Sequence, residues 1–384
     1  MPCARTRSTL FIAVAAMVAC AGEPHAPLDE LSGDPTRFSW SLPGGIAPPA
    51  VPANNAMSSA KVELGRRLFY DPRLSGNGAF ACSSCHRQEF GFADAKNIPV
   101  GSTGEAHTRN SMGLANTGWQ VTLGWAGPDT RSLEAQALIP MFGEHPIELG
   151  LKGQEGPLLR RLEAEPVYRS LFPKAFPVPN PVTVENVTKA IGAFQRTLFS
   201  LDAPIDRFRR GDANAITAAA QRGEQVFAAK RCTQCHAGVL FTLAATPGVA
   251  TAPADSSFAN TGLYNLGGAG AYPARNGGLF ESTGRPQDMG RMKIPSLRNV
   301  GVTFPYMHDG SVGTLEDVVD HYARGGRLIT QGTNAGDGRD NPNKDRRITG
   351  FAITPQEKTD LVAFLRALTD TTFLTNPRFA NPWR

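Results

Sequence analysis

Two short groups constrain this chain more than anything else in it. Cys82, Cys85 and His86 stand in "FACSSCHRQ", and Cys232, Cys235 and His236 repeat the same spacing in "RCTQCHAGV". Cysteines three positions apart share one turn, and a histidine directly after the second is carried on that turn. This is the attachment pattern of c-type haem: the thiols add across two vinyl groups and the histidine ligates the iron. A disulfide does not require the histidine, and a thioredoxin-like redox pair wants a βαβ context that is absent. A four-cysteine zinc site would leave both histidines redundant. Two covalently bound haems are therefore expected.

The groups sit inside a longer repeat. An amphipathic helix is expected over 58–70, "SSAKVELGRRLFY", and another over 214–230, "NAITAAAQRGEQVFAAK". Gly65 precedes Leu68 and Phe69 in the first, and Gly223 precedes Val226 and Phe227 in the second. A glycine one turn before an apolar pair, then the cysteine group, is the start of a cytochrome c domain met twice. Further helices are expected over 185–200, over 314–323 capped by Thr314, and over 355–369 capped by Thr354 with Pro355 at its first turn. No β pattern stands out, and 40 glycines and 30 prolines require long irregular connections such as 239–295. The fold class is mainly α: two cytochrome c-like haem domains in tandem with long irregular loops. "RRGDANA" near 211 marks the boundary, giving an N-terminal domain over 58–211 and a C-terminal domain over 212–384.

Arg5 and Arg7 precede an apolar run too short to anchor in a bilayer, so residues 1–19 read as a secretory signal. It ends in "MVAC", the lipoprotein pattern, which makes Cys20 the expected lipid site; a plain signal cut near "ACA" is the alternative. Residues 20–57 carry no apolar period and read as a flexible tether or surface arm. The expected location is the periplasm, with contact to a bacterial membrane only through the lipid at Cys20. A formal charge of +5 with no basic run excludes a nucleic-acid partner.

Ordered blocks between about 60 and 370 resemble the bacterial dihaem cytochrome c peroxidase superfamily. They include "DPRLSGNGAFACSSCH", "TRNSMGLANTGW", "SLEAQALIP", "PIELG", "IPSLRNVGVTFPYMHDGSVGTLEDVV" and "LVAFLRALT". "HYARGG" and "GEHPIELGL" lean toward its protein-modifying MauG and MbnH branch. The resemblance implies that the N-terminal haem is the peroxide site, with Glu148 as its catalytic carboxylate. Splitting an O–O bond calls for a group that moves a proton from the near oxygen to the far one, which a carboxylate does; without the family, Glu148 reads as a solvated loop residue. Gln136 and Pro140 match pocket positions, although two extra residues separate Pro140 from Glu148. Ser102 stands where related peroxidases carry a histidine that caps this haem, so an open iron is expected; His107, out of register, reads as a surface histidine.

The resemblance also assigns the second iron's far ligand to Tyr322, counted from His308, where other members use methionine. A phenolate is a hard anionic donor that favours ferric and higher iron. His321, Met289 and Met292 are rival ligands, and a packed core tyrosine is the plain alternative. Trp125 matches a tryptophan between the haems that relays electrons, with an ordinary core residue as its alternative. Asn110, with carbonyls of Thr303 and Pro305, matches a calcium site, and His308 a neighbour of that site. The expected function is an exported enzyme that uses hydrogen peroxide to oxidise an aromatic residue of a partner protein. A peroxidase fed by a small cytochrome and a non-catalytic dihaem electron carrier are its rivals.

Overall fold

The computed structural model describes residues 34–245 and 254–383. The expected signal peptide, the lipid site Cys20 and the start of the tether lie outside them. The chain is mainly helical, with α1 (Ser59–Tyr70), α2 (Leu133–Phe142), α3 (Glu155–Ala164), α4 (Pro166–Ala175) and α5 (Val184–Gln195) in its first half. The second half carries α6 (Pro204–Arg209), α7 (Ala218–Ala229), α8 (Phe280–Thr283), α9 (Leu315–Arg324), α10 (Pro355–Arg366) and α11 (Thr371–Thr375). Two antiparallel pairs interrupt the loops: β1 (Phe258–Ala259) with β2 (Met292–Lys293), and β3 (Leu328–Ile329) with β4 (Gly336–Asp337). Among the described residues no helix is long and apolar enough to cross a membrane.

The two halves repeat one packing. In the first, Leu64 and Leu68 of α1 meet Phe172 of α4 and Val187 and Ile191 of α5. In the second, Ala220 and Phe227 of α7 meet Val319 of α9 and Phe364 of α10. The paired glycines are where the helices cross. A Cβ on Gly65 would lie 1.9 Å from the Ala190 carbonyl oxygen of α5, and one on Gly223 1.9 Å from that of Asp360 in α10. Each crossing admits no side chain, and this fixes how near the two helices approach.

Three segments join the body differently from the sequence expectation. From Asp34 the supposed tether lies on the body: Phe38 packs into the first-half core, Leu42 and Ile46 pack on a cluster of Trp119, Leu201, Leu240 and Ala245 drawn from both halves, and Asn55, fully buried, donates to Glu134 Oε1 at 2.7 Å. Its apolar residues are four apart among prolines, which hides them from a periodicity reading. Ala203 and Ile205, before the expected boundary, belong to the second core. The C-terminal tail returns to the first half, where Phe373 and Phe379 pack with Phe69 and Phe92, and Trp383 Nε1 donates to the Arg67 carbonyl at 3.0 Å.

Candidate functional site

Each Cys-x-x-Cys-His group forms a 3₁₀ turn, Cys82–Ser84 and Cys232–Gln234, directly bordering a cavity. The histidine amide closes the turn on the first cysteine, His86 N to Cys82 O at 3.0 Å and His236 N to Cys232 O at 2.9 Å. Both rings are then held in the same way. His86 Nδ1 lies 2.7 Å from the Phe92 carbonyl, and His236 Nδ1 lies 3.1 Å from that of Phe241. A carbonyl only accepts, so Nδ1 carries the proton and Nε2 keeps its lone pair, as a metal-ligating imidazole requires. Phe92 and Phe241 both adopt left-handed backbone, φ 64° and 49°, uncommon for a bulky residue and repeated at the same place in each half. Burial pushes His236 down to about 4 and lowers His86, which keeps both rings neutral.

The cavities measure about 390 Å³ and 500 Å³ and suit a large cofactor. All four cysteines are free thiols, and burial raises them, Cys82 and Cys85 to about 12. Two thiols and a histidine with a free Nε2, carried on one turn and bordering the same cavity, fit thioether attachment of haem.

The first cavity gathers the residues assigned to catalysis: Glu148, Gln136, Pro140 and Trp125 all line it. Helix α2 buries Leu133, Ala137 and Met141 in the core and offers Gln136 and Pro140, one turn apart, to the cavity. The two extra residues before Glu148 do not displace it. Leu149 N donates to the Pro140 carbonyl at 2.9 Å and Leu151 N to that of Met141 at 3.0 Å, so the loop folds back over the end of α2. Burial alone pushes the Glu148 carboxyl up to about 7. Ser102 does not line the cavity; its amide donates to the Glu148 carbonyl at 2.7 Å. His107 corrects the surface expectation. It lines the cavity, and its Nε2 is buried without a hydrogen-bond partner. The backbone bond from His107 N to the Pro99 carbonyl turns the ring inward, a tertiary effect with no local signal.

Tyr322 lines the second cavity with Cys232, Cys235 and His236, and burial raises its phenol. Of the rival ligands, Met292 lines this cavity, whereas His321 and Met289 do not. Trp125 borders both cavities, fixed by Nε1 donating to the Asn110 carbonyl at 2.8 Å and by its own carbonyl accepting from Lys293 N at 2.8 Å. Asn110 N donates to the His308 carbonyl at 2.7 Å, and its side-chain nitrogen donates to the Lys96 carbonyl at 2.7 Å, leaving the amide oxygen for another partner. Thr303 packs its methyl against Gly91. No cluster of three or more His, Cys, Asp or Glu among the described residues is arranged for a metal ion, so any calcium would rest on carbonyl oxygens.

Sequence reasoning passed over Lys293. It is 3% exposed, borders both cavities, and donates from Nζ to Gln120 Oε1 at 2.5 Å. Among the described residues no carboxylate compensates it, and burial pushes its ammonium down to about 7. A single lysine in a Gly/Pro-rich stretch reads as solvated, and only the β1–β2 pairing brings it inside. The second cavity is also lined by Lys230, Arg231, Arg346 and Arg347, with no acid among its lining residues.

Similarity to known proteins agrees with this geometry. Residues 59–214 match the family described as di-haem cytochrome c peroxidase. Cytochrome-c peroxidase IdrP1 of Denitromonas iodatirespirans is 37% identical, over 85% of this chain and 86% of its own. Methylamine utilization protein MauG of Methylorubrum extorquens is 33% identical, over 92% of this chain and 90% of its own. The crystal structure of a MauG-like protein associated with microbial copper homeostasis superposes with a TM-score of 0.87 at 46% identity, covering 91% of this chain and all of that one. Likeness along nearly the whole chain, spanning both attachment turns, leaves one conclusion: this chain is an oxidoreductase of the dihaem cytochrome c peroxidase family and carries two c-type haems.

Proposed function

We propose that the chain is an exported enzyme that uses hydrogen peroxide to oxidise an aromatic residue, a tryptophan or tyrosine, of a partner protein. When bound, the haems supply two redox-active irons. Cys82, Cys85 and His86 hold the first, Cys232, Cys235 and His236 the second. Glu148, poised near neutrality, takes the proton from peroxide and returns it to the departing oxygen; Gln136 and Pro140 shape the space in which it does so. Trp125 relays electrons between the pockets, and Tyr322 gives the second iron an anionic oxygen donor. Calcium held by Asn110 with the carbonyls of Thr303 and Pro305 would stiffen the segment that carries Trp125. Export to the periplasm and a lipid anchor at Cys20 complete the proposal.

What supports this reading most is Tyr322 on the wall of the second pocket, on the same cavity as His236. A tyrosinate steadies a more oxidised iron, and a partner's buried or bulky target needs an oxidant that waits. Tyr322→Phe should keep both haems and still consume peroxide, yet lose the long-lived oxidised state and the partner modification together. If Tyr322→Phe leaves the low-spin signal of the second haem unchanged, the ligand is Met292, the rival that lines this cavity. A peroxidase that takes electrons from a small cytochrome is then the better reading.

A further inference from the structure

An aromatic series runs from Trp125 along the wall of the second pocket, which His308 and Tyr272 also line, to Tyr264 behind it. The Trp125 ring centroid lies 6.4 Å from His308, His308 lies 6.3 Å from Tyr272, and Tyr272 lies 5.5 Å from Tyr264. All three residues beyond Trp125 are buried, none more than 8% exposed. The series ends on an acid. Tyr264 Oη donates to Asp309 Oδ2 at 2.5 Å, a short charge-assisted bond, and Ser311 N donates to Asp309 Oδ1 at 3.1 Å, so that the carboxylate accepts hydrogen bonds on both oxygens. Tyr272 instead gives its hydroxyl to the side-chain oxygen of Asn260 at 2.7 Å. A neutral amide cannot take up a proton, and a carboxylate can.

That difference decides which phenol can hold a missing electron. Removing an electron from a phenol makes its proton strongly acidic, so oxidation is favourable only where a base receives the proton at once. Tyr264 has such a base and Tyr272 has none. Electron transfer weakens steeply with distance, and the packed rings of Tyr272 and His308 fill the gap between Tyr264 and Trp125.

We propose that Trp125, His308, Tyr272 and Tyr264 form a side branch that drains one oxidising equivalent to Tyr264 when no partner protein is docked. Reduction of hydrogen peroxide to two waters takes two electrons and two protons and leaves two oxidising equivalents on the protein. In the branch, one electron passes from Tyr264 to Trp125 across the packed rings of Tyr272 and His308, neither of which is itself oxidised, and cancels one of them. The Tyr264 hydroxyl proton moves to Asp309, giving a neutral tyrosyl radical beside a protonated carboxyl. Both stay hydrogen bonded, so an electron arriving later from a docked donor returns the pair to its starting state. The radical is sealed from solvent, which sets this branch apart from delivery to a surface target. It rests on the reading above in one respect, that peroxide is the oxidant and Trp125 the relay.

The test uses the holoenzyme with both haems in place. It is mixed with one equivalent of hydrogen peroxide without partner protein, followed by its haem absorption bands, and frozen for EPR. The expected result is a tyrosyl signal that Tyr264→Phe abolishes and Asp309→Asn strongly reduces, while the haem bands still change on mixing in both variants and relax more slowly than in the parent, because the second equivalent has no tyrosine to drain to. On repeated peroxide addition, Tyr264→Phe should also accumulate oxidised methionine faster, by mass spectrometry. A signal that survives Tyr264→Phe, or haem bands that change without any tyrosyl signal in the parent protein, overturns the branch and leaves the proposed function standing. Haem bands that do not respond to peroxide overturn both.

Discussion

At the scale of single residues, the proposed chemistry concentrates on Glu148. Its carboxyl normally titrates near 4.5 and is pushed up to about 7 by burial. The folded protein therefore keeps a proton there that the unfolded chain releases between those values. Stability from this group is fully present below about 4.5 and is lost as pH rises through 7. Glu148→Gln should thus be more stable than the parent at pH 8, by roughly 1–3 kcal/mol, and no different at pH 4, as denaturant titrations at the two pH values will tell. Its rate should move the other way. Only the carboxylate accepts a proton from peroxide, so the rate of the parent should rise with pH through about 7. Glu148→Gln should flatten that profile and slow the reaction by about two orders of magnitude or more. A rate close to that of the parent would transfer the role to His107, whose unpartnered Nε2 borders the same cavity. The haem-attachment residues were legible because spacing alone defines a turn. His107 and Lys293 were not, since their inward orientation comes from contacts made by distant parts of the chain.

At the scale of elements, capping and periodicity carried the helices that matter. Thr314 caps α9 by accepting from Asp317 N at 3.1 Å, and Thr354 with Glu357 forms the reciprocal box at the start of α10. Helices α3 and α4 escaped notice because Pro166 and Pro173 break up a stretch whose buried face becomes evident only against α1. The glycine crossings show why a residue with no side chain can be diagnostic. Gly65→Ala and Gly223→Ala each force a methyl into a backbone carbonyl of the facing helix and should cost about 3 kcal/mol or more. Gly44, where an added Cβ meets nothing within 4 Å, is the control. Thermal unfolding of Gly44→Ala should stay close to that of the parent, while either crossing variant should unfold far earlier or fail to retain its haem.

At the scale of the whole molecule, the two halves are one body held by segments that cross between them. The repeat could be seen in the sequence because each copy keeps its own glycine, apolar pair and cysteine group. The crossings could not, because Phe38, Phe373 and Phe379 lie far in sequence from the core they complete. Truncation after Asp370 removes two buried phenylalanines from the first half, a loss of about 3–6 kcal/mol by their burial alone. Hydrogen exchange should then show α1 and α5 losing protection while α7 and α10 retain theirs. The proposed division of labour between the halves is the central claim: the first pocket would leave its iron free for peroxide, and His236 with Tyr322 would hold the second iron for storing and passing charge. The resting ferric EPR spectrum of the holoenzyme tests it most directly. One high-spin and one low-spin haem is the expected result. Two low-spin haems would contradict it, leaving both irons capped, with His107 as the ligand closing the first and an electron carrier in place of an enzyme.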